Sequence, residues 1–273
     1  MAQVEDVKRA GVIGLGAMGV QMARHMVQKG FEVSGYDVNA DAAKRAESHG
    51  VRICDSVTDA GKNAEVVFVM VANDEQIHDV IERSGLLDVL ARGSVIAIAS
   101  SCSPETCRAL AKLAAPKGIG IVDVPLVLGQ EAMDNGQVVA YVGGDDASVA
   151  KARPAIAAFS KQVLHVGDVG AGQITKSINN MLLWSCMVTN FECLSLAKKL
   201  GVDVSKLIEA LGHGSGANWS LSRWGKSTGK WAEKDMDVAL ELAQDAKMPM
   251  PLAGLVDQLV KHLNQERMKA LMS

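Results

Sequence analysis

The sequence offers little that would suit the chain to nucleic acid, a membrane or a metal. Its 273 residues carry a net charge of −3, and no basic run or aromatic-basic interleaving could follow a phosphate backbone, so a polyanionic partner is excluded. No apolar run approaches the length needed to span a bilayer. The first ten residues place Glu5, Asp6, Lys8 and Arg9 ahead of any apolar segment, an order unlike that of a secretion signal. The five cysteines, Cys54, Cys102, Cys107, Cys186 and Cys193, are odd in number and lack CxxC spacing. That argues against both a disulfide framework and a zinc site, and makes a reducing cytosol the expected compartment. The six histidines are scattered without ligand spacing, so no metal is expected. Aromatic residues are scarce at 4%, which makes any clustering of them informative.

What is present is apolar and glycine-rich: 48% hydrophobic residues and 26 glycines, in a length that suits two domains. The run Ala10-Gly11-Val12-Ile13-Gly14-Leu15-Gly16-Ala17-Met18-Gly19 continues into the helical Val20–Met26. A strand, a glycine turn and a helix in that order form a dinucleotide pyrophosphate site. Gly14 permits the tight turn, Gly16 lets the backbone approach the phosphates, and Gly19 allows close helix-to-strand packing. Glu32–Tyr36 reads as the second strand, and Asp37 at its end can accept from the adenosine ribose hydroxyls. A carboxylate there repels a ribose 2′-phosphate, so NAD is expected over NADP.

Short β-rich runs alternate with helical segments from residue 10 to about 166, the pattern of a doubly wound Rossmann-type α/β sheet. Further strands are expected at Glu65–Val71, Ser94–Ile98, Gly120–Val124, Val138–Val142 and Gln162–Val166. Helices are expected at Asp74–Leu90, Ser103–Ala115 and Ala147–Phe159. After residue 167 the alternation stops. A long inter-domain helix is predicted over about Gln173–Leu200, closed by Gly201, followed by helices at Asp203–Leu211, Asp235–Ala246 and Pro251–Met272. The expected division is a dinucleotide-binding domain over 1–167 and an all-α substrate and oligomerisation domain over 168–273.

On the long helix, Lys176 and Asn180 are four residues apart and share a face. A lysine in a desolvated cleft can exchange a proton with a substrate oxygen that a neighbouring Asn orients, although most helical lysines are simply solvated. Three blocks decide between these readings: Gly14–Gly19, Gly172-Gln173-Ile174-Thr175-Lys176-Ser177-Ile178-Asn179-Asn180, and Lys234-Asp235-Met236-Asp237-Val238-Ala239-Leu240. Together they resemble the signature blocks of the β-hydroxyacid dehydrogenases, the family of 3-hydroxyisobutyrate dehydrogenase, over nearly the whole chain. The resemblance implies an NAD(P)-linked oxidoreductase acting on a CH–OH group, with Lys176 as acid/base and Asn180 as substrate anchor. It also implies that Lys234 and Asp235 close over the nicotinamide end. Gly14, Gly16, Ala17, Met18, Gly19, Asp37, Val71, Ser101 and Lys234 are then the candidate cofactor contacts.

One block departs from the family pattern. Where the family has Asp-x-Pro-Val-Ser-Gly-Gly to hold the substrate carboxylate, this chain reads Asp123-Val124-Pro125-Leu126-Val127-Leu128-Gly129-Gln130. Val127 donates no hydrogen bond, and the Leu128 side chain obstructs the approach that glycine permits. Such a pocket should disfavour a small charged acid and tolerate a bulkier, more apolar relative. The candidate substrate contacts are Val127, Leu128, Gly129, Gln130, Asp235 and Trp219. A second departure, Ile98-Ala99-Ser100-Ser101, stands where the family has an acidic residue at the first position. It keeps the Ser101 hydroxyl and makes Ile98 a strand-core residue.

Trp219, Trp224 and Trp231 lie within fourteen residues; they either wall an apolar substrate or pack between helices or subunits. Trp184 is spaced to face the side of Asn180 as pocket wall or core. His213, in Gly212–Gly216, is the one histidine in a loop positioned to border the cleft. The apolar surface of a long helix predicts a homodimer or homotetramer. Two rival readings are an imine reductase-like enzyme, which usually lacks the lysine, and a non-catalytic dinucleotide sensor.

Overall fold

The computed structural model describes residues 7–226 and 229–272. The chain divides into two compact units between Lys176 and Ser177.

The first unit is built on nine strands among the described residues: β1 (Arg9–Ile13), β2 (Glu32–Tyr36), β3 (Arg52–Ile53), β4 (Val66–Val69), β5 (Val95–Ile98), β6 (Gly120–Asp123), β7 (Leu126–Val127), β8 (Val138–Gly143) and β9 (Ser160–Gly167). Its helices are α1 (Ala17–Gln28), α2 (Ala40–Glu47), α3 (Val57–Gly61), α4 (Asp74–His78), α5 (Leu86–Val89), α6 (Pro104–Ala114), α7 (Gly129–Asp134) and α8 (Asp146–Ala157). The first six strands run parallel in the order β3-β2-β1-β4-β5-β6. That is the dinucleotide-binding order, which reverses direction between β1 and β4 and so opens a crevice there. The sheet then turns mixed. β6 and β7 are two pieces of one antiparallel partner of β8, interrupted at Val124-Pro125, and β9 runs parallel along the other edge of β8.

The strands read as continuous apolar runs because helices cover both faces; every residue of β4 and β5 is buried. Val12, Phe68, Ala97 and Val122 pack on one face, with Phe68 edge-on to Phe159 at 5.5 Å. Ile13, Val67, Val69, Ile96 and Ile121 pack on the other. Local capping sets the helix starts: Asn39 accepts from Asp41 and Ala42, Ser103 from Thr106, and Asp145 from Ala147 and Ser148. The helix expected over Asp74–Leu90 is not continuous. It passes through a π-helical turn at Asp79–Arg83 and breaks at Gly85, whose φ of +84° no α-helix accommodates.

The second unit continues α9 (Ala171–Lys199), a 29-residue helix ended by Gly201 at φ +78°. It adds α10 (Val204–Leu211), α11 (Trp219–Ser222), α12 (Ala232–Asp245), α13 (Pro251–Val260) and α14 (Gln265–Ala270). Its core gathers Trp184, Met187, Leu194, Trp224, Met236, Val256 and Met268. The single helix expected over Pro251–Met272 is two, because the Asn264 side chain accepts from Arg267 N and starts a new helix inside the apolar pattern. No helix among the described residues is long and apolar enough to cross a membrane.

Candidate active site

The carboxyl ends of β1, β2, β4, β5 and β6 carry the candidate groups of the first unit. Gly14 leaves β1 at φ +93°, and a Cβ there would overlap the Met70 carbonyl. Gly19, in the first turn of α1, lies so close to the Gly14 carbonyl oxygen that any side chain is excluded. Around Gly16, by contrast, a Cβ would meet nothing within 4 Å; this is the open point where phosphates can approach. Gly16 caps α1 without a side chain and Ala17 is exposed, so the first-turn N–H groups face outward under the positive end of the helix dipole. Met18 is half-buried against the core. These residues fit a dinucleotide.

Asp37 is wired to this loop. One carboxylate oxygen accepts from Leu15 N at 2.6 Å and the other from Asn39 N at 2.8 Å. Each oxygen retains a lone pair for a ribose hydroxyl. Val71 N donates to Ser100 Oγ at 2.7 Å, which joins the ends of β4 and β5.

The divergent segment forms the next part of this edge. Leu126 and Val127 pair with Ala140 and Val139 of β8, and Val127 is 9% exposed, a sheet position rather than an open hydroxyl site. Leu128 then adopts φ +83°, ψ −1° and Gly129 φ +78°. Leucine holds this left-handed backbone at a cost of about 1–2 kcal/mol. Gln130 Nε2 donates to Ala17 O at 3.1 Å and to Asp134 Oδ1 at 2.7 Å, tying α7 to the start of α1. Arg24 and His25 repeat the tie farther along, bonding Asp134 O and Met133 O.

Lys176 Nζ donates to Ser101 Oγ at 2.5 Å, so the structure brings two sequence candidates from 75 residues apart onto one edge. Residues that pattern reading passed over surround this pair. Asp123, fully buried, accepts from Gly170 N at 2.6 Å and Gln173 N at 2.8 Å; burial pushes its carboxyl above the ordinary range despite those bonds. Gln173 donates to Ser100 O at 2.8 Å and accepts from Cys102 N at 3.3 Å. The available signals were a lone acid in the apolar run Ile121-Val122-Asp123-Val124 and an amide one turn before Lys176.

In the second unit, Asn180 lies one turn beyond Lys176 on α9, is half-buried, and accepts from Asn179 Nδ2 at 3.1 Å. Asp235 accepts from the buried Trp184 indole at 3.0 Å, fastening the start of α12 to α9; Lys234 beside it is exposed. The tryptophans divide. Trp184 and Trp224 are core residues, Trp224 lying 6.4 Å from Phe191 and donating to Met268 O. Trp219 and Trp231 are 45% and 57% exposed, each under a cation, Arg223 and Lys230 respectively. His213 is exposed on its turn.

Comparison with known proteins agrees with this architecture. Residues 9–167 match the family described as the NAD binding domain of 6-phosphogluconate dehydrogenase, and residues 170–271 match the NAD-binding domain of NADP-dependent 3-hydroxyisobutyrate dehydrogenase. The chain is 31% identical to a 3-hydroxyisobutyrate dehydrogenase of Pseudomonas aeruginosa over 90% of its own length and 89% of that protein. It is 30% identical to a 2-(hydroxymethyl)glutarate dehydrogenase of Eubacterium barkeri, over 94% and 89% of the two chains. A Mycobacterium tuberculosis 3-hydroxyisobutyrate dehydrogenase structure, solved with L-serine, shares the fold with a TM-score of 0.89 at 23% identity, over 98% of this chain and all of that one. With its glycine loop, its parallel-strand order and both family matches in sequence, the chain belongs to the β-hydroxyacid dehydrogenase family and is an NAD-binding oxidoreductase acting on CH–OH groups.

Proposed function

We propose that this protein oxidises, or in reverse forms, the hydroxyl of a 3-hydroxy acid or of a bulkier, more apolar relative, with Lys176 as the acid/base. The observation that carries the reading is Lys176 Nζ on Ser101 Oγ at 2.5 Å, at the same strand edge as the glycine loop. Ligands of open parallel sheets bind outside the carboxyl ends of the strands. Bound NAD supplies the hydride acceptor. In the oxidative direction the neutral Lys176 amine takes the substrate hydroxyl proton; in reduction the ammonium returns it to the carbonyl oxygen. Asn180, one turn along α9, orients that oxygen, and Ser101 holds the amine in place. Gly14, Gly16, Ala17, Met18, Gly19, Asp37, Val71 and Lys234 serve the cofactor.

The substrate lip is the second element of the reading. Family members hold a carboxylate on a serine hydroxyl and two glycines; Val127 and Leu128 remove the donor and narrow the approach, leaving Gly129, Gln130, Asp235 and Trp219 as the remaining candidate contacts. An unpaired carboxylate there would cost several kcal/mol, which favours an apolar substituent. The relatives' named substrates, 3-hydroxyisobutyrate and 2-(hydroxymethyl)glutarate, define the small end of the range to test.

We place the protein in a reducing cytosol, in keeping with its five free cysteines, as a homodimer or homotetramer. The second unit favours assembly: α9 leaves Ile178, Leu182 and Leu196 between 51% and 64% exposed, and Leu200 just after it 72%, a stripe at helical spacing that a second copy would cover. Light scattering at micromolar concentration checks this.

The functional test is turnover with NAD on 3-hydroxyisobutyrate, L-serine and 2-phenylpropan-1-ol, in which a phenyl group replaces the carboxylate of the first, using Lys176→Ala as control. Turnover should favour the phenyl compound and fall about 10²–10⁴-fold in the variant, with NAD affinity within threefold. Undiminished turnover by Lys176→Ala, or reduction of a cyclic imine with no alcohol turned over, overturns the reading.

A further inference from the structure

We propose that Gln173 and Asp123 are positioning residues that set Lys176 against Ser101; the proposal rests on the acid/base reading of Lys176. Gln173 lies three residues before Lys176 on α9, so the two share a face of the helix. Its amide is 2% exposed and spans the loop that carries the serine: Nε2 donates to the carbonyl of Ser100 and Oε1 accepts from the N–H of Cys102. The two residues it holds are those flanking Ser101. One side chain therefore fixes the hydroxyl to the same helix face that delivers the lysine.

Asp123 fixes the helix itself. Coming from the end of β6, its carboxylate receives Gly170 N on one oxygen and Gln173 N on the other, at 2.6 and 2.8 Å. It thereby supplies the cap and the negative charge that the first turn of α9 lacks in its own sequence. Room for that carboxylate is made by two glycines, Gly143 and Gly172, where a Cβ would overlap its two oxygens. Isolated buried carboxylates are costly, and this one spends both of its oxygens on the turn that precedes Lys176. A 29-residue helix could be anchored anywhere along its length. Its bonds to the sheet unit fall in the first two turns, at Gln173 and Lys176, whereas those farther along, such as Trp184 to Asp235, go to other helices.

The consequence is geometric. A lateral shift of α9 by about 1 Å would part Nζ from Oγ, and misplacements of that size cost catalysis up to about 100-fold. The test compares Gln173→Met, Asp123→Asn and Lys176→Ala, with NAD and the three hydroxy compounds named above as probes and rates expressed per NAD-binding site. Methionine fills the volume of glutamine without its bonds; asparagine presents an amide to one of two N–H groups. For both, kcat should fall about 10- to 100-fold, with KM and NAD affinity within threefold.

A turnover-independent reading comes from proteins reductively methylated with 13C-formaldehyde. The Lys176 methyl resonance, identified by its loss in Lys176→Ala, should move toward the shift of solvent lysines in Gln173→Met. Kcat within twofold of the parent in both positioning variants, or an unmoved resonance, overturns the proposal while leaving Lys176 as the acid/base. Retained turnover by Lys176→Ala overturns the acid/base reading and the positioning role with it. If Asp123→Asn does not fold, Gln173→Met and its resonance decide alone.

Discussion

Two strand-to-helix junctions on the same sheet, the Gly14–Gly19 loop and the Leu126–Gln130 lip, solve one geometric problem with different residues. Each leaves a strand, passes through a left-handed backbone and enters a helix: Gly14 at φ +93° before α1, and Leu128 at φ +83° with Gly129 at +78° before α7. In the first, atoms around the turn forbid any side chain. In the second, the leucine fits and the backbone alone bears the strain. The glycine loop is thus fixed by sterics, whereas the lip holds its left-handed turn with a side chain in place. A substitution at the second junction is therefore expected to be tolerated where one at the first is not.

The comparison is sharpest where the first loop is broken. Gly19→Ala places a methyl against the Gly14 carbonyl, so α1 must move from β1 and the N–H groups proposed to hold the phosphates with it. Overpacking of this kind costs about 1–3 kcal/mol, and NAD affinity should fall about 10- to 100-fold, read by quenching or calorimetry. Unchanged affinity would show that the loop tolerates what the lip does, and would end the contrast between them.

Leu128→Gly tests the other junction. Removal of the left-handed penalty, about 1–2 kcal/mol, is offset by the added freedom of the unfolded glycine, about 0.5–1 kcal/mol, and by lost contacts of a half-buried side chain. Stability should therefore stay within about 1 kcal/mol. Selectivity should move more: kcat/KM for 3-hydroxyisobutyrate should rise about tenfold relative to the phenyl compound, the scale of one removed apolar obstruction. A preference that stays put means the lip does not meet the substrate.

How much of this was written in the sequence depends on whether a residue reports its own geometry. Gly14, Gly16 and Gly19 do, because glycine at a strand-helix junction has few other reasons to be there. The cap Ser103 with Pro104, and Gly201 after α9, are equally local. Leu128 carries no such mark, since nothing about leucine announces φ +83°. Gly85 and Asn264 did carry marks, yet both sat inside apolar periodicities strong enough to hide a break. The Asp123 contacts reach 47 and 50 residues along the chain, and only the folded sheet brings them together. The tryptophans show the same limit, for composition clusters Trp219, Trp224 and Trp231 while packing separates Trp224 from the other two.

Asp123, three residues before the lip, gives a pH signature that the glycine loop lacks. Its folded carboxyl titrates above the usual value because of burial, so between an unfolded pKa near ~3.9 and the folded one the native chain binds more protons than the unfolded chain. Stability must then fall as pH rises through that window and level off above it. Denaturant midpoints measured across the acid range should show this slope in the parent and lose it in Asp123→Asn. An identical slope in both would assign it to other groups.

The smallest effect belongs to a direct tie between the two junctions. Gln130 Nε2 to Ala17 O is an exposed bond at 3.1 Å, and exposed amide bonds contribute about 0.5–1.5 kcal/mol net. Arg24 and His25 hold the same pair of helices farther along, so Gln130→Ala should cost less than about 1 kcal/mol and change NAD affinity less than threefold. Double-mutant cycles with Leu128→Gly make the measurement discriminating. If the lip's strain stays local, the two substitutions are additive in NAD affinity. Coupling well above ~0.5 kcal/mol would mean that the leucine's left-handed backbone is transmitted through Gln130 to the first turn of α1, and the two junctions would then be one device rather than two.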